Sequence, residues 1–119
     1  MKKILLVDDE PNILMSLEYT FKKHNFEVFV ARDGQEALDI VQNQLPDVII
    51  LDVMMPLVDG YETLRQIKKN DKLQHCKVIF LSAKNKEKDI EKGLALGADL
   101  YLLKPFSIKK IVEQVQALL

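Results

Sequence analysis

The sequence has no tryptophan, one cysteine and few aromatic residues, which make up 7% of the chain. A single cysteine, Cys76, excludes an internal disulfide and favours a reducing compartment. The first apolar run begins at Ile4 and stops at Asp8, which is too short for a signal-peptide core or a membrane span. These absences predict a cytoplasmic protein with an aliphatic core and no membrane contact.

Charge of one sign is also lacking, because 17 Lys and Arg residues face 18 Asp and Glu residues, for a formal charge of -1. Direct binding to nucleic acid would need a basic stripe, so we expect none. The length of 119 residues corresponds to one domain over residues 1–119. That length excludes a TIM barrel and an enzyme with a cleft between two lobes.

Short apolar runs alternate with longer amphipathic segments along the whole chain. The runs predict five strands at residues 4–7, 28–31, 48–51, 78–81 and 100–103. Four of them are nearly continuous in aliphatic residues, which is typical of strands buried on both faces of a parallel sheet. The run at 28–31 is less regular and could be an edge strand.

The segments between the runs have helical periodicity and recognisable ends. Pro11 suits the first turn of a helix, and Asp33 with Glu36 resembles a capping box. Gly97 is placed to end the fourth helix, and Ser107 is placed to cap the fifth. The alternation predicts an α/β fold of the (βα)5 type, with a doubly wound parallel sheet.

Polar residues fall directly after the predicted strands. Asp8 and Asp9 follow the first, Asp52 the third, Ser82 the fourth and Lys104 the fifth. Each alone has an ordinary explanation as a helix cap, a turn residue or a surface lysine. Parallel strands end at one edge, however, so these side chains are expected in a single crevice.

Three carboxylates in one crevice repel one another and raise their own pKa values. A cation bound among the carboxylates would offset the free-energy cost of their repulsion. Oxygen ligands beside a lone ammonium group favour Mg²⁺.

Four motifs carry a resemblance that covers essentially the whole chain. They are VDDEP at 7–11, DVIILDVMMPLVDG at 47–60, LSA at 81–83 and YLLKPF at 101–106. The chain resembles a response-regulator receiver domain of two-component signalling, such as the single-domain chemotaxis regulators. The resemblance implies a flavodoxin-like three-layer sandwich with strand order 2-1-3-4-5. It also implies a phosphorylation-dependent switch rather than an enzyme.

The resemblance implies roles for the residues in the crevice. Asp52 would be the phosphoacceptor for the phosphohistidine of a sensor histidine kinase or of a phosphotransfer protein. Asp8, Asp9, Asp52 and the backbone carbonyl of Met54 would bind Mg²⁺. Ser82 would donate a hydrogen bond to a phosphoryl oxygen.

Further roles concern the residues around the fifth strand. Lys104 would pair first with Asp52 and then with the phosphoryl group, and the Lys104-Pro105 bond would be cis. Tyr101 would change rotamer when Ser82 moves, reshaping the surface of the fourth helix, fifth strand and fifth helix. The partner there would be a downstream protein, a fused output domain or a second copy. Whether the chain stands alone or belongs to a longer regulator is open.

Three other functions deserve comparison. A flavodoxin-type electron carrier would need a Ser, Thr or Gly-rich loop after the first strand, where the acidic Asp8, Asp9 and Glu10 would repel a phosphate. An aspartate-based phosphatase would place its nucleophile after the first strand and would usually need a cap domain. An inert receiver-like domain would lack phosphorylation residues, and none is missing here.

Overall fold

The computed structural model covers residues 1–119 and contains five strands, five α-helices and a short 3-10 helix. The elements in chain order are β1 (Lys3–Val7), α1 (Pro11–Lys23), β2 (Glu27–Ala31), α2 (Gly34–Gln44), β3 (Val48–Leu51), α3 (Gly60–Lys68), the 3-10 helix (Asp71–Leu73), β4 (Lys77–Ser82), α4 (Glu87–Ala95), β5 (Leu100–Leu103) and α5 (Ile108–Leu118). The predicted alternation of strands and helices is therefore confirmed. None of the helices combines the length and the apolar character that a bilayer crossing needs.

The strands form one parallel sheet in the order β2-β1-β3-β4-β5. In the register of the sheet, Val7 is opposite Leu51, Leu51 is opposite Phe80, and Ser82 is opposite Leu103. All strands therefore end at the same edge. The predicted fold class and strand order are confirmed.

Two apolar layers lie on the two faces of the sheet. Successive side chains of a strand point to opposite faces, so Leu5 and Ile49 pack with the α2 and α3 side chains, whereas Leu6 and Ile50 pack with those of α1 and α5. The central strands β1, β3 and β4 are almost entirely buried. The strands that lead to Asp8, Asp52 and Ser82 are thus the most deeply buried part of the sheet.

The two outer strands, β2 and β5, are half-buried because each lies at an edge of the sheet. The edge position considered for residues 28–31 is confirmed for β2. The expectation that residues 100–103 are buried on both faces is wrong, because β5 is the other edge and Leu103 is 41% exposed. Runs of leucine suit either position, and only the strand order decides between them.

Side-chain caps begin the helices where the sequence predicts them. Asp33 accepts a hydrogen bond from the Glu36 amide at 2.9 Å, and Ser107 accepts one from the Lys110 amide at 3.3 Å. Gly97 follows the end of α4 with a φ of 110°, a left-handed conformation that favours glycine. Local capping chemistry therefore sets three of the helix boundaries.

Candidate functional site: an acidic crevice

Two buried carboxylates lie just beyond the central strands. Asp8 and Asp52 are 3% and 4% exposed, respectively. Their backbone amides continue the sheet ladder, since Asp8 donates to the Ala31 carbonyl at 3.2 Å and Asp52 donates to the Val7 carbonyl at 2.9 Å. The sheet itself therefore positions both side chains.

Neither Asp8 nor Asp9 caps the helix that follows. Pro11 is the first residue of α1, and Glu10 occupies the capping position without a side-chain hydrogen bond. Asp8 Oδ1 accepts a hydrogen bond from the Glu10 amide at 3.0 Å, whereas Asp9 is exposed. Carboxylate oxygens of Asp8, Asp9 and Glu10 all lie within 4.8 Å of one another. The loop between β1 and α1 is thus a cluster of three carboxylates.

Lys104 connects this cluster to Asp52 on the other side of the crevice. Its Nζ lies 3.0 Å from Asp8 Oδ2, 3.3 Å from Glu10 Oε1 and 3.4 Å from Asp52 Oδ2. The Lys104 amide extends the sheet by donating to the Ser82 carbonyl at 2.9 Å. The Lys104-Pro105 bond is cis, as the resemblance implied. The expected convergence of Asp8, Asp52 and Lys104 is confirmed.

Burial and charge shift the protonation equilibria in the crevice. Burial, reinforced by the Asp8 charge, raises the pKa of Asp52 to about 6 against the opposing effect of Lys104. Burial also raises the pKa of Asp8. Burial alone would lower the pKa of Lys104, but its hydrogen bond to Asp8 and the Asp52 charge raise it instead. At neutral pH the crevice therefore holds ionised Asp52 beside an ammonium group.

The loop after Asp52 depends on a glycine. The Gly60 amide donates to the Val53 carbonyl at 2.8 Å, and a Cβ on Gly60 would overlap the Asp52 carbonyl oxygen and Val53 Cα. The Met54 amide donates to Asp52 Oδ1 at 3.3 Å, and the Met54 side chain is 59% exposed. The start of α3 is thus packed directly beneath the Asp52 backbone, with Met54 beside the carboxylate.

Ser82 and Tyr101 are connected through one residue of the loop after β4. Ser82 is fully buried, and its Oγ accepts a hydrogen bond from the Lys84 amide at 3.1 Å. The Tyr101 hydroxyl donates to the Lys84 carbonyl at 2.8 Å, and its ring lies 5.7 Å from the Phe80 ring. A Cβ added to Gly93 would lie 2.9 Å from the Tyr101 ring. The rotation of Tyr101 stays a prediction, but Lys84 connects Tyr101 to Ser82 through two hydrogen bonds.

Three residues that contact the crevice or its neighbouring segments were given no role there by the sequence patterns. Glu10 shares Lys104, and Lys84 connects Ser82 to Tyr101. Tyr61 donates its hydroxyl proton to the Asp89 carbonyl at 3.0 Å. Glu10 follows Asp8 and Asp9 in the acidic loop, and Lys84 lies two residues beyond Ser82, so both had a local sequence signal, whereas the contact between Tyr61 and Asp89 had none.

The fold and crevice define a class of flavodoxin-like proteins with carboxylates and a lysine at the strand ends. The chain matches the family model described as the response regulator receiver domain over residues 4–116. It therefore belongs to the response-regulator receiver family, as its motifs predicted. Receiver domains are the signalling switches of two-component response regulators, and the family typically uses Mg²⁺ at an acidic pocket.

Solved structures agree with this assignment. Chemotaxis protein CheY4 of Vibrio cholerae is 32% identical with a TM-score of 0.94, and the match covers 100% of this chain and 99% of that one. The receiver domain of Francisella response regulator 1452 is 36% identical with a TM-score of 0.91, covering 99% and 96%. The BeF3-activated DrrB receiver domain is 31% identical with a TM-score of 0.91, covering 99% and 97%.

Proposed function

We propose that Asp52 accepts a phosphoryl group from the phosphohistidine of a sensor histidine kinase or a phosphotransfer protein in the cytoplasm. The observation that carries this proposal is the buried Asp52 carboxylate with Lys104 Nζ at 3.4 Å. Its pKa of about 6 leaves the carboxylate ionised at neutral pH, so it needs no general base. An Asp52 oxygen bonds to phosphorus as the phosphorus–nitrogen bond breaks, and the imidazole nitrogen retains that electron pair.

Lys104 and Ser82 would stabilise the transferred group. The Lys104 ammonium would exchange its contact with the Asp52 carboxylate for one with a phosphoryl oxygen. Positive charge at that place offsets the repulsion between a carboxylate and an anionic phosphoryl group. The Ser82 hydroxyl would donate one directed hydrogen bond to a phosphoryl oxygen. Its Oγ accepts a hydrogen bond from the Lys84 amide, which leaves the O–H proton available as a donor.

The residues of the crevice suit a magnesium ion. Asp8, Asp9, Asp52 and the Met54 backbone carbonyl would hold it, an all-oxygen donor set of the kind that Mg²⁺ prefers. The mutual approach of the acidic oxygens within 4.8 Å at residues 8–10 and the raised pKa values of Asp8 and Asp52 support this fit. When bound, Mg²⁺ would neutralise part of the charge on the phosphoryl oxygens.

The surface formed by α4, β5 and α5 would change on phosphorylation and transmit the signal to a partner. Ile90 and Leu100 lie half-buried on this side, next to Tyr101. We infer that phosphorylation strengthens a contact here with a downstream protein, a fused output domain or a second copy. Coupling in such switches is typically about 1–3 kcal/mol, so the unphosphorylated form should bind more weakly rather than not at all.

Uptake of phosphate from acetyl phosphate tests the proposal. Wild type with Mg²⁺ should gain one phosphate in its intact mass, whereas Asp52→Asn should gain none. Chelation of Mg²⁺ should abolish the gain. Asp71→Asn is a matched control, because Asp71 is exposed on the 3-10 helix, and it should behave as wild type. Equal uptake by Asp52→Asn would contradict the proposal.

A further inference from the structure

Two tyrosine hydroxyls contact the two ends of residues 84–89, a segment made of the end of the loop after β4 and the first turn of α4. Tyr101 on β5 donates to the Lys84 carbonyl at 2.8 Å, and Tyr61 on α3 donates to the Asp89 carbonyl at 3.0 Å. The Lys84 amide also donates to Ser82 Oγ at 3.1 Å. The segment is therefore bonded to three elements: β4, β5 and α3.

Tyr61 is held in place by its surroundings. Its side chain is buried, and its ring packs edge-on against Phe80, with centroids 5.6 Å apart and an interplanar angle of 68°. The Lys92 ammonium lies 4.5 Å from the centre of the Tyr61 ring. A buried hydroxyl needs a hydrogen-bond partner, and the Asp89 carbonyl provides it. The contact is thus a fixed link between α3 and the first turn of α4.

The two tyrosines differ in their connection to the crevice. Tyr101 is connected to Ser82 through the single residue Lys84, so a change at Ser82 can reach it through two hydrogen bonds. Tyr61 makes its hydrogen bond at the other end of the segment, to Asp89. The Lys84 backbone is therefore bonded to the crevice residues and the Asp89 backbone to α3, while the Lys84 side chain bridges the two ends, with its Nζ 3.8 Å from Asp89 Oδ1 and 6.0 Å from the centre of the Tyr61 ring.

We propose that Tyr61 is a positioning residue for α4, holding its first turn against α3 while the contacts of Ser82, Lys84 and Tyr101 change. A displacement at Lys84 then turns α4 about its first turn and does not shift the whole segment. The inference rests on the proposed function, because it assigns how a change at Ser82 reaches the output surface.

Hydrogen exchange in Tyr61→Phe tests the contact itself, because this variant loses only the hydroxyl. The Asp89 and Ile90 amides donate to the Lys86 carbonyl in the first turn of α4. Without the link to α3, they should exchange about fivefold faster, the effect of one lost hydrogen bond. The Ala37 amide, which donates to Asp33 in the first turn of α2, should be unaffected.

The outcomes of the exchange experiment are distinct. Tyr19→Phe is the matched control, because Tyr19 is exposed, and exchange in α4 should match wild type. If Ala37 and Asp89 accelerate equally in Tyr61→Phe, the hydroxyl contributes only to global stability and the inference is overturned. Unchanged exchange at both amides would also overturn it.

Chemical shifts with beryllofluoride and Mg²⁺ then test the transmission. In wild type, amides at Lys84 and along α4 should respond. In Tyr61→Phe, the response at Lys84 should persist, while that at Ile90 and Leu94 should fall about twofold or more. An equal α4 response in the two proteins overturns this inference alone. Absence of any response in wild type contradicts the proposed function, and this inference with it.

Discussion

Replacing Asp52, the proposed phosphoacceptor, with asparagine should stabilise the domain at neutral pH. Burial and the Asp8 charge raise the pKa of Asp52 from 3.8 to about 6, so ionisation is about 2 pKa units harder in the folded state than in the unfolded chain. At about 1.4 kcal/mol per unit, that is a cost of roughly 3 kcal/mol. Asparagine has nearly the shape of the protonated carboxyl. In the variant the Lys104 ammonium still has two carboxylate partners, Asp8 Oδ2 at 3.0 Å and Glu10 Oε1 at 3.3 Å, so it is not left unpaired. We expect Asp52→Asn to be more stable by about 1–3 kcal/mol at pH 7.5 without Mg²⁺.

The sign of the pH dependence follows from the raised pKa. Between about pH 4 and pH 6 the folded wild type binds the Asp52 proton more tightly than the unfolded chain does, so its stability falls as the pH rises. The stability difference between Asp52→Asn and wild type should therefore be small near pH 4, grow through that window and be complete above it.

Urea unfolding followed by far-UV circular dichroism measures this difference, since the chain has no tryptophan for fluorescence. Asp71→Asn is the control and should match wild type at each pH. Added Mg²⁺ should narrow the difference, because it binds the folded wild type more tightly than the folded variant. A variant that is less stable than wild type at pH 7.5, or an equal difference at pH 4 and pH 7.5, would refute the reasoning.

Three other substitutions probe the loop after Asp52. Gly60→Ala should destabilise the domain by more than about 2 kcal/mol and slow phosphate uptake, since the new Cβ overlaps the Asp52 carbonyl; urea unfolding with near-wild-type stability would contradict this. Met54→Ala should speed the loss of phosphate from the labelled protein, because the smaller side chain admits water to the acyl phosphate. An unchanged or slower hydrolysis rate would show that Met54 does not shield the acyl phosphate from water. Leu57→Asn should stabilise by about 0.5–1 kcal/mol, because Leu57 has a φ of 68° and an 88% exposed side chain, so a lower urea midpoint would exclude relief of strain.

The strand and helix pattern could be predicted because its local signals agree. Continuous apolar runs, helical stripes and capping residues such as Asp33 and Ser107 each specify an element within a few residues. The grouping of Asp8, Asp52 and Lys104 then follows from parallel strands ending at one edge. The alternation of strands and helices and the centre of the crevice could therefore be predicted from the residues, whereas the strand order came from the family resemblance.

Contacts that depend on tertiary packing were not accessible in the same way. Tyr61 belongs to the buried stripe of α3, but its hydroxyl partner, Asp89, is 28 residues away. Glu10 has a long exposed side chain whose position is set by Lys104. The left-handed conformation of Leu57 has no signal in its residue type, because leucine does not favour a positive φ.

Chemical mapping of the phosphorylated residue tests the central claim most directly. The chain is incubated with acetyl phosphate and Mg²⁺ and then reduced with borohydride, which converts an aspartyl phosphate to homoserine. Peptide mass spectrometry should locate homoserine at position 52 and nowhere else, and chelation of Mg²⁺ before labelling should remove it. Homoserine at Asp8, Asp9 or another carboxylate, or none at position 52 in folded protein with Mg²⁺, would contradict the account.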